Sequence, residues 1–236
     1  MSTAARPGAR GRWRTVLHEN ALALFFALLL LGALTGQAAA GTAQVNREQL
    51  AAGLQTVTVW RYITSSEFGV DVMENWQSEF LQFLLFILAT VWLVQRGSSE
   101  SKALGEQGRG SDADQKVGAY AQPGSPRWAR APGLRRSLYS HSLGLVMGTV
   151  FLLTWLGQSM AGTVAYSEGQ LRDRADPVTW ATYVGLPDFW NRTLQNWQSE
   201  FLAVLSMVVF SIYLRERGSP ESKPVGAPHD ETGTEE

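Results

Sequence analysis

NWQSEFL occurs twice, letter for letter, at Asn75–Leu81 and at Asn196–Leu202. Each copy leads into an apolar run: FLQFLLFILATVWLV, Phe80–Val94, after the first, and FLAVLSMVVFSIYL, Phe201–Leu214, after the second. From Asn75 to Asn196 the offset is 121 residues, and that offset aligns positions far outside the heptapeptide. Gly36-Gln37 falls on Gly157-Gln158, Ala40-Gly41 on Ala161-Gly162, Gln49-Leu50 on Gln170-Leu171, Tyr62 on Tyr183 and Phe68 on Phe189. RGSSESK, Arg96–Lys102, falls on RGSPESK, Arg217–Lys223. One ungapped register from Gly36 to Lys102 reads as tandem duplication of a two-helix unit.

Two further apolar runs complete the pattern. ALALFFALLLLGAL, Ala21–Leu34, continues through small residues to Gly41, and LGLVMGTVFLLTWLGQSMAGTVA covers Leu143–Ala165. A hydrocarbon core of ~30 Å needs about 20 helical residues. The runs at 21–41 and 143–165 meet that. The other two reach it only when Trp-Gln-Ser-Glu joins the helix, giving Trp76–Val94 and Trp197–Leu214. A short buried helix of a soluble core is the alternative; tryptophans at the ends of the runs favour the membrane, where such residues mark the interfaces. A cleaved signal peptide is the rival for the first run, since Ala38-Ala39-Ala40 fits a small-residue cleavage site. The matching GQSMAG at Gly157–Gly162, in mid-chain, argues against it.

Lys and Arg beside the runs set the orientation. The N-terminus holds Arg6, Arg10, Arg12 and Arg14, and the middle segment holds Arg96, Lys102, Arg109, Lys116, Arg127, Arg130, Arg135 and Arg136. Arg215, Arg217 and Lys223 begin the tail. The segments at 44–79 and 166–200 are instead richer in Asp and Glu. Both termini and the middle segment are therefore expected in the cytoplasm and the two acidic loops outside. Because each unit holds two spans, both units insert the same way up.

The expected fold is an all-α integral membrane protein. Its four transmembrane helices form two parallel two-helix repeats, with helices 2 and 4 extended on the outer side. Those two should run from about Ser66 to Arg96 and from about Pro187 to Arg215. Ser65 or Ser66 offers the first a cap, and Pro187 suits a first helical position. The organisation is a basic N-terminus (1–16), repeat unit 1 (17–96, spans about 21–41 and 76–95), a flexible cytoplasmic linker (97–137), repeat unit 2 (138–217, spans about 143–165 and 197–214) and a disordered tail (218–236). Gly, Ser, Pro and charge dominate the linker and the tail.

Composition narrows the chemistry. With no cysteine among 236 residues, a disulfide framework, a thiolate metal site and a cysteine nucleophile are excluded. A net charge of −1 supplies no basic field for nucleic acid. His18, His141 and His229 have no second ligand at helical spacing, so no metal is expected. No glycine-rich phosphate loop, H-E-x-x-H or nucleophile elbow occurs, so neither an enzyme nor a cofactor is expected.

The candidate polar or ion site is duplicated. Asn75, Ser78, Glu79 and Gln82 share one helical face by spacing, as do Asn196, Ser199 and Glu200, and these faces are expected to point into the bundle. Trp76 and Trp197 fall off that stripe, toward lipid or another helix. With Gln37, Gln77, Gln158 and Gln198 the set is two glutamates, four glutamines and two tryptophans at one depth. Such groups form either a shallow site for a cation, a proton or a lipid headgroup, or an interhelical hydrogen-bond network worth about 0.5–2 kcal/mol per bond. For close helix packing the candidates are Gly32, Gly36, Gly144, Gly148 and Gly157, which form small-xxx-small pairs. The RGSxESK motif ends each second span and reads as a topology anchor on the anionic inner leaflet, or as a docking motif.

With these segments collected, the chain resembles a family of uncharacterised bacterial membrane proteins classed as a domain of unknown function. The resemblance rests on ENWQSEFLQFLLF (Glu74–Phe86), VWLVQRGSSESK (Val91–Lys102), SPRWAR (Ser125–Arg130), YSHSLGLVMG (Tyr139–Gly148), the second NWQSEFL and RGSPESKPVGAPH (Arg217–His229). It implies a bacterial inner-membrane protein and no catalytic or binding residue. The expected function is a non-enzymatic structural or partner-binding component of that membrane, with the lipid bilayer, a second copy or another membrane protein as partner and no nucleic acid. The alternative is a small oligomeric channel or transporter using Glu79 and Glu200.

Overall fold

The computed structural model describes residues 15–233, so Arg6, Arg10, Arg12 and Arg14 lie outside the described residues. Every regular element among these residues is helical. The order is α1 (Ala21–Ala51), α2 (Val59–Ile63), α3 (Ser66–Trp92), a 3-10 turn (Gly118–Tyr120), α4 (Arg127–Arg130), α5 (Leu134–Ser140), α6 (Ser142–Arg172), α7 (Trp180–Tyr183) and α8 (Pro187–Tyr213). The bounds of α1 and α6, and those of α3 and α8, stand 121 residues apart at both ends.

Local chemistry sets these ends. Ser65 Oγ accepts the Phe68 N–H at 3.3 Å ahead of α3, and Glu67 sits in its first turn, where the helix dipole favours an acid. α8 starts on Pro187, followed by Asp188. Thr58 and Thr179 cap α2 and α7 through equivalent 3.2 Å bonds to the N–H of Arg61 and of Thr182. α1 and α6 continue past the expected span ends at 41 and 165 to Ala51 and Arg172, because no proline interrupts those stretches. Both then stop in the same left-handed cap. Gly53 has φ 71° and Arg174 φ 60°, while the Leu54 and Ala175 N–H groups reach back to the Gln49 and Gln170 carbonyls at 2.8 Å. α3 and α8 end at Trp92 and Tyr213, short of Arg96 and Arg215.

The chain divides into two compact units, one up to Phe68 and one from Gly69. In the first, α2 folds back on α1. The Tyr62 ring covers Gly41 and meets Phe68 edge-on at 5.5 Å, and Asn46 clips the loop by bonding both backbone groups of Val57 at 2.6 and 3.1 Å. The second unit repeats this on α6: Tyr183 covers Gly162 and meets Phe189 edge-on at 5.7 Å, and Ser167 bonds both backbone groups of Val178.

Within the second unit α3 and α6 are antiparallel. A Cβ at Gly144 would meet Leu88 at 3.8 Å, at Gly148 Leu84 at 3.6 Å, and at Gly157 the Met73 sulfur at 3.1 Å. These three expected packing glycines therefore sit on the α3–α6 seam, and small residues let the backbones approach. Gly32 and Gly36 do not: among the described residues nothing lies within 4 Å of a Cβ at either. α3 and α8 run parallel, since Arg192 meets Glu74, Trp197 meets Gln77, and Ser211 meets Ser98 just past the end of α3.

α1 and α6 are long and apolar enough to cross a membrane. α3 and α8 fall short by the same measure, because the polar Asn-Trp-Gln-Ser-Glu stretch lies within each. Nor is 97–137 featureless. It carries the 3-10 turn, α4 and α5, and Gly108 donates to the Val91 carbonyl at 2.7 Å. The described part of the tail is likewise tied down by hydrogen bonds, in place of the disorder expected from its composition.

Candidate functional site

The interior of the second unit contains a polar layer. On α3, Val70, Gln77 and Leu81 follow one another at seven and four residues and form a buried stripe, so an amide sits inside an otherwise apolar seam. Gln77 is 0% exposed. Its Oε1 accepts the Trp197 indole N–H at 2.8 Å, and its Nε2 donates to the Glu74 carbonyl at 3.1 Å. On α6 the stripe is Thr154, Gln158 and Gly162, each four residues on. Gln158, also 0% exposed, donates to Thr193 Oγ1 of α8 at 3.3 Å. Beside it, Ser159 Oγ accepts the Trp180 indole N–H at 2.9 Å. Trp155 lies against this layer and contacts Phe189, Trp190 and Trp197 with ring centroids 6.1–6.2 Å apart. Buried amides must find partners in the fold, so these bonds fix which faces of α3, α6 and α8 meet. Among the described residues Gln158 Oε1 and Trp155 Nε1 have no protein partner.

One to two turns toward the N-terminal ends of α3 and α8 lies a charged cluster. Arg192 is 3.2 Å from Glu74, 3.6 Å from Asp188 and 3.8 Å from Asp71, so three carboxylates surround one guanidinium. Tyr183 donates its phenol O–H to Asp188 at 3.1 Å. Burial raises the Asp71 and Glu74 carboxyls above their ordinary values, and the nearby Arg192 charge offsets part of that rise. Burial alone would lower Arg192, but Glu74, Asp188 and Tyr183 together hold the guanidinium above its usual range. Burial first, and the Asp188 charge second, push the Tyr183 phenol up. An open polar cleft lined by Glu74, Asn75, Asp188, Asn191, Arg192 and Asn196 leads into this cluster.

Of the residues singled out in the sequence, the structure brings together Gln77 and Trp197, and sets Gln158 beside them through Thr193 and Trp155. Trp197 thus turns toward the polar layer rather than away from it. The two heptapeptides are used differently: Trp76 is exposed while Trp197 is bonded, and Gln198 is exposed while Gln77 is wholly enclosed. The inward face of α3 is Gln77-Ser78-Leu81, not Asn75-Glu79. Glu79 is exposed and Glu200 half-buried, and neither has a hydrogen bond or ion pair among the described residues. Their charges are nevertheless within Coulombic reach of each other. Gln37 belongs to the other unit and is half-buried there. No group of three or more His, Asp or Glu that could hold a metal occurs among the described residues. Sequence reasoning missed the Arg192 cluster and Thr193. The signal was present as three acids on two helix starts (Asp71, Glu74 and Asp188) with a single arginine one turn into α8.

No curated protein and no solved structure matches the chain. A family model described as a domain of unknown function (DUF6766) matches residues 13–234, and the chain belongs to that family.

Proposed function

We propose that the chain is a non-enzymatic, multi-pass membrane protein, a structural or partner-binding component of the bacterial inner membrane. In this reading α1, α3, α6 and α8 all cross, the termini and 97–137 face the cytoplasm, and the α1–α3 and α6–α8 loops lie outside. Two copies of one two-helix unit make up the chain. The observation that carries the reading is an inversion of the usual soluble pattern. Leu22, Phe26, Leu28 and Leu31 of α1 and Leu152 and Leu153 of α6 are 59–73% exposed, while Gln77, Gln158 and Thr193 are 0% exposed. Leucine belts of that extent need an apolar surrounding, and polar groups facing lipid would lack partners. Exposed tryptophans support it: Trp60 and Trp180 lie in the short helices α2 and α7 that follow α1 and α6, and Trp92 ends α3. Arg and Lys concentrated in the segments assigned to the cytoplasm agree.

Alkaline extraction of membranes from cells expressing the protein tests this reading. An integral protein stays with the pellet; release into the supernatant overturns it. A second reading, an oligomeric channel or transporter, draws on the proximity of Glu79 and Glu200, because two uncompensated acids at one level suit a cation or proton. Flux into vesicles holding the purified protein decides between the two. The structural reading expects none; flux abolished by Glu79→Gln with Glu200→Gln would replace it with the second.

A further inference from the structure

The RGSxESK loops that follow α3 and α8 share one construction. Gly97 and Gly218 have φ of 85° and 86°. Ser98 and Ser219 accept the N–H groups of Glu100 and Glu221 at 3.1 and 3.2 Å. Ser101 and Ser222 accept the N–H groups of Gln95 and Glu216 at 2.8 and 2.9 Å. Lys102 then donates to the Gly108 carbonyl at 2.6 Å, and Lys223 to the carbonyl at the equivalent position, His229, at 3.2 Å. Each loop is a helix stop closed by its own lysine.

The second loop does more. Lys223 is 1% exposed, and its ammonium also donates to the carbonyls of Gly97 at 2.6 Å, Glu231 at 2.8 Å and Pro228 at 3.1 Å. Three N–H groups are thus shared among four carbonyl oxygens, one of which belongs to the first loop. Around that cation the tail lies along Gly97 and Ser98. Gly97 N–H donates to Thr232 Oγ1 at 2.8 Å, Gly233 N–H donates to the Ser98 carbonyl at 3.0 Å, and Arg96 pairs with Asp230 at 3.5 Å. Behind them Ser98 and Ser211 share a buried hydrogen bond of 2.9 Å, and His229 bonds the Ile212 carbonyl at 3.0 Å. Burial draws the Lys223 ammonium below the usual lysine range, while its carbonyl partners favour the charged form.

We infer that residues 223–233 form a strap whose docking site is the backbone of Gly97-Ser98 and whose key is the Lys223 ammonium, clamping the C-terminal ends of α3 and α8 at a fixed spacing. RGSPESK is thereby an intramolecular docking motif. The docking site is specific to the first loop. A Cβ at Gly97 would collide with the His229 carbonyl and touch Ile212, whereas at Gly218, with the same φ, nothing lies within 4 Å. Ala at either position meets the same backbone strain, but only at Gly97 does it also expel the strap.

The full-length protein in detergent micelles tests this by fragment-resolved hydrogen exchange over residues 95–100 and 229–233. The wild type should protect both fragments. Lys223→Met and Gly97→Ala should each lose at least about tenfold in that protection, with α6 unchanged, while Gly218→Ala keeps it (tenfold corresponds to about 1.4 kcal/mol of opening free energy). Since the chain has no cysteine, spin labels at Glu106→Cys and Val225→Cys give an independent reading: one narrow distance distribution, broadened by Lys223→Met. A wild-type tail exchanging at the free rate, protection unaltered in Lys223→Met, or equal losses in Gly97→Ala and Gly218→Ala would each overturn the inference. None of these outcomes bears on whether the helices cross a membrane.

Discussion

Replacing Trp197 with Phe removes one atom that matters and keeps most of the ring. The indole N–H is the donor to Gln77 Oε1 at 2.8 Å, and Gln77 is 0% exposed, so water cannot take its place. A buried acceptor left without a partner costs about 1–3 kcal/mol. The Phe ring can still pack where the indole lies 6.1 Å from Trp155 and 6.5 Å from Phe201, which limits the added packing loss. The expected destabilisation is therefore about 1–3 kcal/mol, or roughly thirtyfold in the folding equilibrium at its middle. Trp76→Phe, at the matching position of an identical heptapeptide, should stay within about 0.5 kcal/mol because that side chain is exposed. Reversible unfolding in mixed micelles, followed by far-UV circular dichroism, measures both. Gln77→Leu completes a cycle: with the acceptor gone, Trp197→Phe should cost about 1 kcal/mol less than in the wild type. Additivity within about 0.3–0.5 kcal/mol would refute the bond. Equal costs for Trp197→Phe and Trp76→Phe would refute the unequal use of the two copies.

Gly162→Ala pushes a methyl group into the Tyr183 ring and should destabilise by about 1–3 kcal/mol, whereas Gly32→Ala meets nothing and should gain up to about 1 kcal/mol of helix stability; the same unfolding assay separates them. Arg174→Gly relieves a non-glycine residue held at φ 60° where the first unit has Gly53, and should raise stability by about 1 kcal/mol. Arg192→Gln should act differently with pH. Asp71 and Glu74 have folded pKa values above their unfolded ones, so the folded state holds their protons more tightly. Their contribution is greatest below the unfolded values near 4 and is lost as pH rises through the raised values. Removing Arg192 raises them further, so the variant should lose more stability at neutral pH, where both carboxyls are charged, than in acid, where they are protonated; equal losses in the two would contradict this.

Helix starts were legible because their signals are local. Ser65 and Pro187 mark α3 and α8 by chemistry that needs no tertiary partner. The 121-residue register was equally plain, and it anticipates that α1 and α6, like α3 and α8, share their bounds. The inward face of α3 was misread because spacing alone groups Asn75, Ser78 and Glu79 and cannot say which side meets a neighbour. Packing against Trp197 selects Gln77 and Ser78 instead, which lie around the helix from Glu79. The span bounds at 41 and 165 marked apolar content and left open how far α1 and α6 continue; nothing in the polar stretches to Ala51 and Arg172 breaks a helix. The strap was invisible for a related reason: Gly, Ser and Pro in the tail read as coil, yet here they form turns around one buried ammonium.

Membrane sidedness tests the central claim most directly. Cysteines introduced singly at Thr56, Ala113 and Asp176, all exposed, can be probed in intact cells with a membrane-impermeant maleimide. Four crossings predict labelling at Thr56→Cys and Asp176→Cys, and none at Ala113→Cys until the cells are broken. If only α1 and α6 cross, Thr56→Cys and Ala113→Cys will label alike and Asp176→Cys oppositely, and that result would contradict the four-helix account.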